Sequence, residues 1–239
     1  MADIEANLQE VQERIAEAAE RSGREFRDVT LVAITKLVEV ERIQAAIDLG
    51  LREFGENRVY EALPKIEQLP PEITWHMVGH LQRRKVRDAV KAFSTIHSVD
   101  SLRLAQEINK RCGRFGLIMP VLLEVNVSGE ESKYGFPLVG GAQKEEQTQS
   151  FFAAVRDILA LPQLEVQGLM TMAPYVPDAE TVRPVFRKLR NLRDELREQF
   201  PEARWPHLSM GMTNDFEVAV EEGATLVRIG TAIFGARRR

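Results

Sequence analysis

The chain has 239 residues, 44% of them hydrophobic and 28% charged, enough to bury one sizeable core and within the range of a single α/β barrel. A net charge of −4 and a pI near 5.7 supply no large basic field for nucleic acid. The dense cationic run Arg237, Arg238 and Arg239 reads as a solvated tail over residues 236–239. Cys112 is the single cysteine, which excludes an intramolecular disulfide and any multi-cysteine metal cluster; it reads as a small, partly buried helix residue. The opening MADIEANLQEVQERIAEAAE carries acids throughout, so it is neither a signal peptide nor a membrane span, and the expectation is a cytoplasmic protein with no membrane partner.

Ile4, Leu8, Val11, Ile15, Ala18 and Ala19 recur at helical spacing, which predicts an amphipathic helix over residues 3–21 inside an N-terminal segment, 1–22. VTLVAITK, Val29 to Lys36, is a nearly unbroken β-branched run of the kind buried on both faces of a parallel sheet. Helix 39–49, strand REFGEN, helix 57–68, strand ITWHMVG, helix 82–91, strand STIHSV, helix 101–112 and strand VLLEVNV follow. A loop, SGEESKYGF, leads through Gly140 and Gly141 to helix 145–160, strand EVQGLMTM, helix 179–199, strand HLSMG, helix 215–221 and strand TLVRIG. Eight strands, each coupled to a helix, predict one (β/α)8 TIM-barrel domain over residues 1–239 with an extra N-terminal helix. No GxGxxG follows the first strand, as a doubly wound dinucleotide fold would require.

In such a barrel the active site lies at the C-terminal ends of the strands, where Lys36 is placed. By position alone it is either a snorkelling surface residue or a partly desolvated amine able to attack an aldehyde. TLVRIGTAIFG brings Arg228, Gly230 and Thr231 to the end of the last strand, and HLSMGMTND adds Ser209 and Gly211 to the same rim. Small and hydroxylated residues there suit a phosphate, facing Lys36 across neighbouring strands. Asn57 ends FGEN, where it either orients a ligand or caps the next helix, and Glu124 and Asn126 alternate within VLLEVNV toward the upper barrel. His76 and His80 are four apart, but the strand end between them spoils the helical geometry of a ligand pair, so no metal is expected.

VTLVAITK, FGENRVYEA, WHMVGHLQRRK, IHSVDSLRLAQEIN, VLLEVNVSGEESKYGF, VQGLMTMAP and LSMGMTNDFEVAVEEGATLVRIGTAIFG resemble, in order and over about residues 29–235, the pyridoxal phosphate homeostasis (YggS/PROSC) family. The resemblance implies the barrel half of the alanine-racemase type of fold, with pyridoxal 5'-phosphate held as a Schiff base on Lys36. It further implies Ser209, Gly230 and Thr231 at the phosphate, Arg228 at the pyridine nitrogen and Asn57 close to the ring. It also implies a role in keeping free pyridoxal phosphate and amino-acid pools in balance. An arginine at the ring nitrogen weakens the electron sink, so the expectation is a carrier or regulator without strong turnover, with pyridoxal-phosphate-dependent apoenzymes as recipients and a monomer or weak dimer as the assembly.

The departures are modest. Thr35 and Thr213 stand where the family usually has serine, LVEV lacks the common proline, and Arg84 replaces an asparagine on the rim. The alternatives are a pyridoxal-phosphate-dependent racemase-like enzyme and a cofactor-free Schiff-base aldolase. The racemases of this fold take a second acid/base from an additional C-terminal β-domain, which is not expected after Arg239.

Overall fold

Alternation along each strand sorts the side chains into two environments. In the first strand Leu31 and Ala33 face the large core shared with the helices, whereas Val32 joins Leu122, Met170 and Leu226 in a separate apolar cluster. The computed structural model describes residues 3–130, 132–138 and 144–235. Its elements run α1 (Ile4–Arg21), β1 (Thr30–Ile34), α2 (Val40–Asp48), β2 (Glu53–Glu56), α3 (Val59–Ile66), β3 (Thr74–Met77), α4 (Val86–Ala92), β4 (Thr95–Val99) and α5 (Leu102–Phe115). Then come β5 (Met119–Asn126), β6 (Phe136–Pro137), α6 (Lys144–Leu159), β7 (Leu164–Met170), α7 (Arg183–Gln199), β8 (His207–Ser209), α8 (Phe216–Glu221), β9 (Leu226–Ile229) and α9 (Thr231–Phe234).

All the strand pairings are parallel. The order β4-β3-β2-β1-β9-β8-β7-β5, closed by β4 on β5, makes the eight-stranded (β/α)8 barrel that the alternation predicts. The short β6 pairs beside β5. Several elements are trimmed relative to the sequence pattern. β1 stops at Ile34, because Thr35 and Lys36 leave the sheet in a turn. Helix 82–91 divides into a 3-10 turn, Arg83–Lys85, and α4; helix 179–199 likewise opens with a 3-10 turn at Ala179–Val182 before α7 begins at Arg183, with Pro184 in its first turn. Gly140, Gly141 and the expected basic tail at 236–239 lie outside the described residues. No helix among the described residues is long and apolar enough to cross a membrane.

The N-terminal helix is a buttress. Asp3 caps it by accepting from the Ala6 N–H, and Leu8, Val11, Ile15, Ala18 and Ala19 form its buried stripe. Asn7 Nδ2 donates to the Ile233 carbonyl of α9, and Arg14 grips Glu217 of α8 through two nitrogens. α1 thereby braces the two helices that follow β8 and β9. Cys112 is fully buried in α5, where burial pushes its thiol up to about 11.

The barrel interior is unusually polar for a packed core. His76, His97, Ser209, Arg228 and Glu124 all occupy the inward parity and are buried. Glu124 Oε2 has no hydrogen-bond partner among the described residues. Burial chiefly, and then the nearby Asp100, push the Glu124 carboxyl up to about 7, against the opposing pull of Arg228. The folded chain therefore keeps a proton that the unfolded chain releases near the ordinary glutamate range. The resulting stability is complete below that range and is lost as pH rises through about 7. Glu124→Gln, neutral and of the same size, is expected to raise the unfolding free energy by on the order of 3 kcal/mol at pH 8 and by little at pH 4. Urea titrations at the two pH values check this, and an equal effect at both would show a normally ionising Glu124.

Candidate active site

Lys36 is set in place by a polar clamp on the helix side of the sheet. Thr35 Oγ1 donates to Glu56 Oε1 at 2.7 Å, and Lys65 Nζ of α3 donates to both Glu56 Oε1 (2.6 Å) and the Thr35 carbonyl (2.7 Å). Glu56 is fully buried, and the pairing meets its Oε1, while its Oε2 has no hydrogen-bond partner among the described residues. The Val38 N–H closes on the Thr35 carbonyl at 3.0 Å, which makes residues 35–38 a tight turn. Leu37 occupies its third position at φ 60°, the sole non-glycine at positive φ among the described residues, and its side chain is 68% exposed. Such a conformation costs a leucine roughly 1–2 kcal/mol. The turn thus directs Lys36 inward at the expense of its neighbour.

Lys36 lines a cavity of about 390 Å³, at the low end of the range of about 300–1,000 Å³ typical of small-molecule sites. Beside it, the end of β9, which pairs with β1, and the first residues of α9 contribute Arg228, Gly230 and Thr231. A third side is the turn between β8 and α8, where Thr213, Asn214 and Asp215 line the cavity and Asp215 Oδ1 accepts from the Met212 N–H. The loop after β7 supplies Pro174, Tyr175 and Val176, with Tyr175 84% exposed at the rim.

Arg228 is the most buried charged residue lining the cavity, only 5% exposed. Its Nη1 donates to Ser209 Oγ at 2.7 Å and its Nη2 to the Thr171 carbonyl at 2.9 Å. Burial pushes the guanidinium down to about 10, while Asp215 and Glu124 pull it back up, so it remains cationic at neutral pH. Burial likewise holds Asp215 above the usual aspartate range, against its hydrogen bond to Met212. Lys36 and Arg228 give the cavity two basic groups and one adjacent carboxyl.

Of the residues singled out in the sequence, the structure brings Lys36, Arg228, Gly230 and Thr231 onto one cavity wall. Ser209 lies behind it, fully buried, with its hydroxyl engaged by Arg228 and His97. Gly211 also sits behind the wall. At φ 91° it lets its carbonyl accept from the Arg228 N–H, and a Cβ there would lie 2.6 Å from the Ala219 Cβ. Asn57 is not among the lining residues; its backbone packs against Gly79, and the N-cap of α3 is Arg58, so Asn57 does not cap that helix. Asn126 holds the following loop, accepting from Ser128 and Gly129 and donating to the Glu130 carbonyl. His76 points into the barrel toward Glu53 and His97, whereas His80 pairs with Asp100 and stacks on Tyr134. Arg84 is exposed and bonds Gln82, away from the cavity. Sequence reasoning did not assign Thr213, Asn214 and Asp215 to the site; the signal available was the MTND run after a strand, a turn with its own carboxylate cap.

Comparison with known proteins places this geometry. The alanine racemase N-terminal domain family matches residues 6–238. The pyridoxal phosphate homeostasis protein of Aquifex aeolicus is 47% identical over 232 residues, 97% of each chain. That of Escherichia coli K12 is 37% identical over 246 residues, covering 99% of this chain and 98% of the relative. The solved structure of PipY from Synechococcus elongatus with PLP bound is 36% identical, with a TM-score of 0.79 over 92% of this chain and 100% of that one. Alanine racemase of Clostridium difficile 630 shares the fold at 16% identity and a TM-score of 0.74, this chain spanning 61% of it. The chain belongs to the pyridoxal phosphate homeostasis protein family, built on the alanine racemase N-terminal barrel.

Proposed function

We propose that residues 1–239 form one cofactor-binding barrel that holds pyridoxal 5'-phosphate in the 390 Å³ cavity as a Schiff base on Lys36 and serves cofactor homeostasis in the cytoplasm. The single observation that carries this reading is that one cavity joins an inward-directed lysine amine to a buried guanidinium and a small, hydroxylated strand end. When bound, the cofactor supplies an aldehyde for the amine and a ring that can take up electrons. The residues present suit its three polar parts. Lys36 meets the aldehyde, Gly230, Thr231 and Thr213 take the phosphate, and Arg228 donates to the ring nitrogen. A cofactor-free aldolase would have no ring nitrogen for Arg228 to meet. Ser209 is assigned to hold Arg228 and Gly211 to shape the wall behind it, while Asn57 is left out of the contact set.

A protonated ring nitrogen draws electrons best, and a carboxylate partner favours that state. A guanidinium with its proton retained keeps the nitrogen an acceptor instead. Arg228 therefore weakens the catalytic power of the bound group. The chain acts as a carrier or regulator, a monomer or weak dimer that exchanges the cofactor with dependent apoenzymes.

Borohydride treatment of protein mixed with pyridoxal phosphate is expected to fix the label on Lys36, and Lys36→Ala to abolish the Schiff-base absorbance; peptide mapping that finds the label chiefly on Lys65 or Lys133 would refute the assignment. In the same titration Thr231→Ala removes one hydrogen bond to a dianion, an expected loss of about ten- to hundredfold in affinity. Unchanged affinity would take Thr231 out of the phosphate site. Incubation with a panel of L- and D-amino acids is expected to give no substantial racemisation or transamination. Vigorous turnover that disappears in Lys36→Ala would make the chain an enzyme.

A further inference from the structure

Beneath the cavity, β9, β8, β4, β3 and β2 each contribute one side chain to an unbroken row of hydrogen bonds. Arg228 Nη1 donates to Ser209 Oγ at 2.7 Å, and Ser209 Oγ lies 2.9 Å from His97 Nδ1. His97 Nε2 lies 2.9 Å from His76 Nδ1, and His76 Nε2 lies 2.7 Å from Glu53 Oε2. Ser209 and His97 are fully buried, whereas the Glu53 side chain is 33% exposed. Glu53 is the first residue of β2, so the row runs from the N-terminal end of the barrel to the cavity floor at its C-terminal end.

With Glu53 accepting and both imidazoles neutral, the row takes a single direction. A guanidinium can only donate and an ionised carboxylate can only accept, and a hydroxyl or a neutral imidazole between them does one of each. Arg228 therefore donates to Ser209, Ser209 to His97 Nδ1, His97 Nε2 to His76 Nδ1, and His76 Nε2 to Glu53. In that direction both imidazoles carry their proton on Nε2. Burial above all, with the nearby Arg228 cation, holds His97 well below the ordinary imidazole range, which keeps it neutral. With the row reversed, Ser209 would accept from both His97 and Arg228, and its own proton would lose its place in the row.

We propose that Glu53, His76 and His97 are positioning residues that act through Ser209, turning its hydroxyl proton away from Arg228 and fixing the guanidinium at the cavity floor. The relay rests on the reading that Arg228 meets the cofactor ring, yet it can be observed in the ligand-free protein. The probe is ¹⁵N-histidine NMR at neutral pH, for which the chain has only four histidines. Wild-type protein is expected to show the Nε2–H tautomer at His76 and His97, with a coupling across the bond between the two rings. An Nδ1–H or doubly protonated form at either residue would overturn the relay. Glu53→Leu is expected to release the His97 tautomer and to weaken pyridoxal phosphate binding about tenfold, whereas Glu53→Gln, which still offers an acceptor, restores both. Released tautomers with unchanged affinity would overturn the positioning role, as would an unchanged His97 tautomer in Glu53→Leu. Failure of wild-type protein to label at Lys36 would strike the cofactor reading alone, since the tautomers are read without ligand.

Discussion

A full positive charge inside a barrel has to be compensated from every side, and the burial of Arg228 organises much of this interior. Removing a guanidinium from water is costly unless its donors are met by acceptors and its charge by counter-charge. The structure meets both demands. Ser209 and the Thr171 carbonyl take two donors, and Asp215 and Glu124 oppose the burial that lowers the guanidinium to about 10. The compensation spreads outward. Ser209 needs His97, His97 is met by His76, and His76 ends on Glu53. Gly211 bends the chain so that its carbonyl reaches the Arg228 N–H.

The other basic group of the cavity is controlled from the opposite face of the sheet. Lys36 is set by the turn that the Thr35, Glu56 and Lys65 cluster secures between β1, β2 and α3, and the strained Leu37 shows that this direction is imposed. The cavity thus receives an amine from a strained turn and a guanidinium from a rigid core. An anionic ligand with a carbonyl group and an aromatic nitrogen answers both at once. The helix following β9 is itself braced by α1 through Asn7 and the bonds of Arg14 to Glu217 on α8, which links the extra N-terminal helix to the place where Thr231 sits.

The parts legible in the sequence were those encoded locally. The unbroken β-branched run at Val29–Ile34 and the strict helix–strand alternation state the barrel, and a lysine ending the first strand or an arginine within the last can be placed by counting. What depends on which strands become neighbours across the barrel was not legible. His76 and His97 are 21 residues apart and Ser209 a further 112 along the chain, so no spacing rule joins them. For the same reason Ser209, read as a rim hydroxyl facing a phosphate, proves to stand beneath Arg228. Short elements such as β6 and α9 fall below the length at which periodicity speaks, and the turn at Thr213–Asp215 becomes part of the cavity through the fold of β8 into α8.

In the proposed reading, Arg228 is a permanent cation at the ring nitrogen of bound pyridoxal phosphate. Pyridoxal phosphate labelled with ¹⁵N in the ring, bound to the wild-type protein, reports that contact through its nitrogen chemical shift. An unprotonated nitrogen accepting a hydrogen bond at neutral pH, and losing that hydrogen-bond shift in Arg228→Met, is the predicted result. A pyridinium signal in the wild-type protein, or a shift indifferent to Arg228, would contradict it.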